Sequence, residues 1–86
     1  MNNLRILRKQ IDNIDNQILD LLKERMKIVK KIGKLKKDQN KEVIDNIREK
    51  EILKDLSKKA LKMNLNKKLI QRIWQTIFKL AYKAEK

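Results

Sequence analysis

The chain has no cysteine, no histidine and no proline, one glycine, and one residue each of Trp, Tyr and Phe. Each scarcity removes a class of chemistry. Without cysteine there is no disulfide and no thiol nucleophile. Without histidine as well, the usual His/Cys zinc site and the Ser-His and Cys-His nucleophile pairs are excluded. With Gly33 standing alone, no glycine-rich phosphate loop can form. The near absence of glycine and proline removes most turn chemistry and argues against a sheet-rich fold. No apolar run approaches the roughly 18 residues that span a membrane, and no signal-peptide core is visible, so a cytoplasmic location is expected. Any catalysis must rest on arginine, lysine, carboxylates and amides. Those groups suit electrostatic stabilisation and hydrogen bonding rather than covalent or metal chemistry, so neither cofactor nor metal is expected.

What is present is charge and helical periodicity. The 86 residues carry 24 Lys+Arg against 11 Asp+Glu, a net of +13, with 41% apolar and 41% charged residues. This composition predicts one all-α domain over residues 1–86. The first helix is predicted over about 3–37, on a heptad of Leu4, Leu7, Ile11, Ile14, Ile18, Leu21, Arg25, Ile28, Ile32 and Leu35. Asp38-Gln39-Asn40-Lys41 has nothing to bury and reads as a connection. The second helix is predicted over about 46–62, with Ile47, Ile52, Leu53, Leu56, Ala60 and Leu61 on its apolar side. Asn46 is expected as its N-cap and Glu49 as the third helical residue of a capping box. Asn64-Leu65-Asn66 makes the next break, and Asn66 is expected to cap a third helix over about 66–85. That helix carries Leu69, Ile70, Ile73, Trp74, Ile77, Phe78, Ala81 and Tyr82.

One long and two shorter helices do not fit a compact monomer. A 35-residue helix is about 50 Å long, whereas a compact domain of this size has a radius of gyration of about 12 Å. The seam of the first helix needs cover along its length, and a second copy provides it most simply. The expectation is an intertwined homodimer of six helices. The alternative is a break at Gly33 that folds the helix back, since glycine costs about 1 kcal/mol inside a helix.

Arg25 interrupts the seam, whose nine other positions are Leu or Ile. A guanidinium stays charged at ordinary pH and is costly to bury unpaired. Two readings stand open: a register-setting ion pair with a carboxylate of the protein, or a site for an anionic ligand. Lys36 lies eleven residues on and points within about 20° of Arg25. Arg8 lies about 25 Å away along the helix axis and could reach such a site only from another chain. Arg48 shares a stripe with Ile52, and Asp45 and Glu49 share the neighbouring one. Phe78, Ala81, Tyr82 and Glu85 form one face of the third helix. Taken singly, Lys36 is a solvated lysine, Glu49 a cap, Arg8 and Arg48 surface charges, Glu85 a frayed end, and the aromatics core.

Together these residues resemble a family. Leu7-Arg8-Lys9-Gln10-Ile11-Asp12-Asn13-Ile14-Asp15 is similar to the LRxxIDxID opening of the all-helical, AroQ-type chorismate mutases. Ile18 to Arg25 resembles their ILxLLxxR, Ile32 to Lys36 their IGxxK, and Asp45 to Glu49 their DxxRE. The four motifs stand in register. The resemblance implies the intertwined three-helix dimer and the Claisen rearrangement of chorismate to prephenate, on the route to phenylalanine and tyrosine. It implies that Arg25, and Arg8 from the second chain, bind the two carboxylates. Lys36 would contact a carboxylate and the ether oxygen, and Arg48 would bind carboxylate. Glu49, helped by Asp45, would hold the ring hydroxyl. Val29, Ile32, Ile52, Phe78 and Tyr82 would form apolar walls.

The third helix departs from the pattern. Ala81 falls where the family commonly has a small polar residue at the substrate. Glu85 falls where a glutamine usually donates to the ether oxygen. With Arg25 and Lys36, Glu85 completes the implied catalytic set. A carboxyl group donates a hydrogen bond only when protonated, so turnover is expected to favour mildly acidic pH. Glu85→Gln is expected to flatten the pH–rate profile; an unchanged profile would remove the idea.

Three rivals are weighed against the mutase. Isochorismate-pyruvate lyases share the fold and much of the cationic set, but the DxxRE carboxylate suits a ring 4-hydroxyl. A basic helical protein that binds nucleic acid fits the net charge, yet the lysines are spread over all three helices rather than gathered. A plain coiled-coil adaptor is the third option.

Overall fold

The computed structural model describes residues 3–40 and 45–85, the last of these by its backbone alone. Among them are three α-helices and no strand: α1 (Asn3–Asp38), α2 (Asn46–Lys62) and α3 (Lys67–Glu85). The molecule measures 60 × 25 × 15 Å with a radius of gyration of 16.4 Å, well above the roughly 12 Å of a compact chain of this length. The excess comes from α1, whose 36 residues run unbroken through Gly33. No fold-back occurs there. Gly33 is buried one turn beyond Val29, and α3 is the helix that packs on α1. A residue without a Cβ on that face lets the two backbones approach closely.

Asparagine does the stopping that glycine does elsewhere. Asn40 and Asn64 both adopt the left-handed conformation, with φ of 54° and 59°, which asparagine tolerates better than most residues. At the end of α2 the Leu65 N–H donates to Ala60 O at 2.9 Å and the Asn64 N–H to Leu61 O at 3.3 Å. This pair of bonds is the Schellman closure, with asparagine in the position usually held by glycine. Asn66 caps α3, its Oδ1 accepting from the Leu69 N–H at 3.0 Å.

The cap of α2 differs from expectation. It is Asp45, not Asn46, whose Oδ1 accepts from the Arg48 N–H at 3.0 Å. Asn46 is therefore the first helical residue, and Glu49 lies one position past the capping-box site. Aspartate and asparagine cap about equally well, and an ionised carboxylate gains further at the positive end of the helix. Glu49 is thus released from the capping role that the sequence allowed it.

Among the described residues α3 packs against both α1 and α2, which do not pack against each other. The buried core is small: Val29, Ala60, Ile77, Phe78 and Ala81. A polar link ties α2 to α3, where Gln71 Nε2 donates to Ser57 Oγ at 2.8 Å and Ser57 Oγ donates to the Leu53 carbonyl at 2.6 Å. All nine apolar residues of the α1 seam are exposed, from 41% at Ile32 to 62% at Leu21. Arg25, the one charged member of the seam, is half-buried.

Candidate functional site

Because α3 lies between α1 and α2, a gap opens between the two outer helices with α3 as its floor. It forms a cleft of about 280 Å³. From α1 come Arg25, Ile28, Val29, Ile32 and Lys36, which recur at three- and four-residue steps on one face. From the start of α2 come Asp45, Arg48, Glu49 and Ile52, again one face at i, i+3, i+4 and i+7. From α3 come Phe78, Ala81 and Tyr82. The volume lies at the lower end of small-molecule sites, roughly 300 Å³ upward. It suits a compact ligand and is too small for a dinucleotide.

The cleft gathers nearly all the residues singled out from the sequence. Two are not among its described lining. Arg8 is exposed on the free N-terminal part of α1, about 25 Å along the axis from Arg25. The Glu85 side chain lies outside the described residues. One lining residue, Ile28, was missed. Its seam position had assigned it wholly to helix pairing, although it stands three residues from Arg25, on the same face.

Among the described lining residues the charges are unbalanced. Arg25, Lys36 and Arg48 bring three cations, and Asp45 and Glu49 two carboxylates. Asp45 is engaged in capping α2. Arg48 makes a long, exposed contact of 3.7 Å with Glu51 in the next turn, of a kind that contributes little. Arg25 Nη1 and Glu49 Oε2 are both buried without a hydrogen-bond partner among the described residues. Burial first, and repulsion by Arg48 second, pull the Arg25 guanidinium below its ordinary pKa. A buried donor left unsatisfied costs about 1–3 kcal/mol, more when charged. Of the two readings open for Arg25, an internal ion pair finds no support among the described residues: no carboxylate there meets it.

The arrangement therefore offers a charged donor and a charged acceptor that do not satisfy each other, set in apolar walls. It can accept a small molecule bearing negative charge toward Arg25, Lys36 and Arg48 and a hydroxyl toward Glu49. No group of three or more carboxylate, histidine or cysteine side chains that could hold a metal ion occurs among the described residues.

Comparison with known proteins bears on the family and the fold. Over 52 residues the chain is 48% identical to a bifunctional chorismate mutase/prephenate dehydratase of Aquifex aeolicus (strain VF5), which is 60% of this chain and 14% of that protein. The chain thus spans about a seventh of that relative's length. A solved structure, a conserved hypothetical protein from Pyrococcus furiosus, superposes with a TM-score of 0.80 at 35% identity, covering 100% of this chain and 99% of the other. The family model for chorismate mutase type II matches residues 7–86. With that match spanning nearly its whole length, the chain belongs to the type II chorismate mutase family.

Proposed function

We propose that this chain rearranges chorismate to prephenate as an intertwined six-helix homodimer, in which Arg8 of each copy completes the cleft of the other. The observation that carries the reading is the buried, unpartnered Arg25 Nη1 beside Lys36 and Arg48. It is a prepared seat for a carboxylate, and no described residue occupies it.

The reaction is unimolecular. The ether C–O bond breaks as a C–C bond forms across the same molecule, and no proton, electron or leaving group is exchanged with the protein. The protein's contribution is to hold the dianion compact, with its reacting carbons in contact, and to stabilise negative charge growing on the ether oxygen. Arg25, Arg48 and the second copy's Arg8 bind the carboxylates. Lys36 bridges a carboxylate and the ether oxygen, where a cation strengthens as charge develops. Glu49 Oε2 accepts from the ring hydroxyl, with Asp45 beside it. The apolar walls, Val29, Ile32, Ile52 and Phe78, exclude water and favour the folded conformer. Glu85 is assigned to the ether oxygen on the strength of its sequence position.

The dimer is supported by what the single chain leaves uncovered. The nine apolar residues of the α1 seam, Leu4 to Leu35, are exposed, and Leu69, Ile73 and Leu80 form an exposed stripe on α3. Apolar surface on this scale is uncommon on monomers. Arg8 sits on the uncovered part of α1, beyond the reach of its own cleft. No helix among the described residues is long and apolar enough to cross a membrane, so a bilayer-spanning role does not account for the stripe.

The test is an assay of chorismate loss with identification of the product, run beside sedimentation of the same sample. Prephenate from a dimer is the expected result. Pyruvate released from isochorismate, without prephenate from chorismate, would reassign the cleft to the lyase reaction. A monomer with full activity would remove Arg8 from the site.

A further inference from the structure

The hydrogen-bonding groups of the cleft are unevenly placed. On the α1 and α2 walls every polar side chain is ionic: Arg25, Lys36, Asp45, Arg48 and Glu49. On the α3 wall, Phe78 and Ala81 are buried at 5% and 7% exposure and offer no hydrogen bond. Tyr82, half-buried, is the only described residue of that wall with a polar side-chain atom, and the only neutral hydroxyl among the described lining. The family resemblance implies only an apolar-wall role for Tyr82.

We infer that Tyr82 is a further substrate-binding residue, its phenol O–H donating to a carboxylate of the bound dianion. This rests on the mutase reading. Three considerations favour a carboxylate over the ring hydroxyl or the ether oxygen. Glu49 Oε2 already stands as the unmatched acceptor for a hydroxyl. Hydrogen bonds to an ionised acceptor are roughly twice as strong as those between neutral groups, and half-buried Tyr82 keeps partial access to solvent, which suits a strongly hydrated ligand group. A phenol can also donate to an anion at any pH below its ionisation near 10. It adds a directional bond without adding another positive charge to the cleft, where Arg25 and Arg48 already repel each other.

The inference separates binding from chemistry. A carboxylate keeps its charge through the rearrangement, so a bond to it serves substrate and transition state alike and appears in KM rather than kcat. Tyr82→Phe removes the hydroxyl and keeps the ring. The expected result is a rise in KM for chorismate of about ten- to a hundredfold, kcat within about twofold, and helicity unchanged. Calorimetric titration of prephenate, well below the lower melting midpoint of the two proteins, is expected to show the same weakening, and separates lost binding from lost folding. An unchanged KM in an active variant overturns the contact alone. A fall in kcat at constant KM also overturns it, because the hydroxyl would then serve the transition state and not a carboxylate. Absence of turnover in the unsubstituted chain overturns the mutase reading and this contact with it.

Discussion

Replacing Arg25 by methionine is expected to abolish turnover and to make the protein more stable. Both effects follow from one placement. Arg25 occupies a seam position of α1, half-buried, with Nη1 unpartnered and with Arg48 as an unfavourable neighbour. Without ligand that guanidinium is a burden on the fold. An apolar residue of similar length restores the Leu/Ile seam, and replacing poorly compensated buried charges by hydrophobic side chains is often neutral or stabilising. We expect the melting midpoint to rise by about 5 °C, the change that roughly 1 kcal/mol makes in a domain of this size. Activity moves the other way. Truncating one partner of a buried, hydrogen-bonded charge pair commonly costs about 2–5 kcal/mol, roughly a thirty- to several-thousandfold loss. Here a substrate carboxylate would also face an apolar methionine, so kcat/KM should fall by about a thousandfold or more. Thermal melts and chorismate kinetics on the same preparation check both halves. A variant that loses activity and also melts lower would show that Arg25 has an internal partner and belongs to the scaffold.

Mixing two inactive variants should restore activity. In Arg8→Ala the own cleft keeps Arg25 but loses the arginine that it lends to a second copy. In Arg25→Ala the loan remains and the own cleft fails. Each homodimer has two defective sites. A heterodimer has one site lacking both arginines and one with both intact. Random exchange makes about half the dimers mixed, so about a quarter of all sites become whole. Recovery toward a quarter of the normal rate is therefore expected after the subunits are exchanged by brief denaturation. The geometry leaves little room for another result if the function is right: Arg8 stands about 25 Å along a straight helix from Arg25, and α1 has no bend that would bring them together. Heterodimers that form without any recovered rate would mean that Arg8 plays no part in the cleft.

Much of this was legible along the chain because helices write their faces into the sequence. The seam of α1 follows from its seven-residue spacing, and Arg25 stands out only against that regularity. Asn40, Asn64 and Asn66 mark the helix ends in a chain nearly without glycine. The nearest neighbours at those ends were harder to read. Asp45 and Asn46 are both good caps, and only the backbone decides between them. That decision matters, because it engages one oxygen of Asp45 and leaves Glu49 turned to the cleft. Ile28 was missed because one seam residue can face both a partner helix and a cavity, and periodicity gives a direction without saying what lies in it. Tyr82 was read as wall because an aromatic residue at helical spacing is most often core.

The amino-acid order by itself determined three helices, a one-sided first helix too long for its own domain, and a cation set among leucines and isoleucines. The tertiary structure decided that α3 lies between the other two helices, that the gap so left is a cleft, and that Arg25 and Glu49 reach it with no partner among the described residues. The division has a physical cause. The pitch of a helix fixes the angle at which each side chain leaves its own axis, and the sequence carries that angle. The distance between two axes is set by what packs between them, here Val29 and Gly33 of α1, Ala60 of α2 and Ile77, Phe78 and Ala81 of α3, and that sum of contacts exists only in the folded chain.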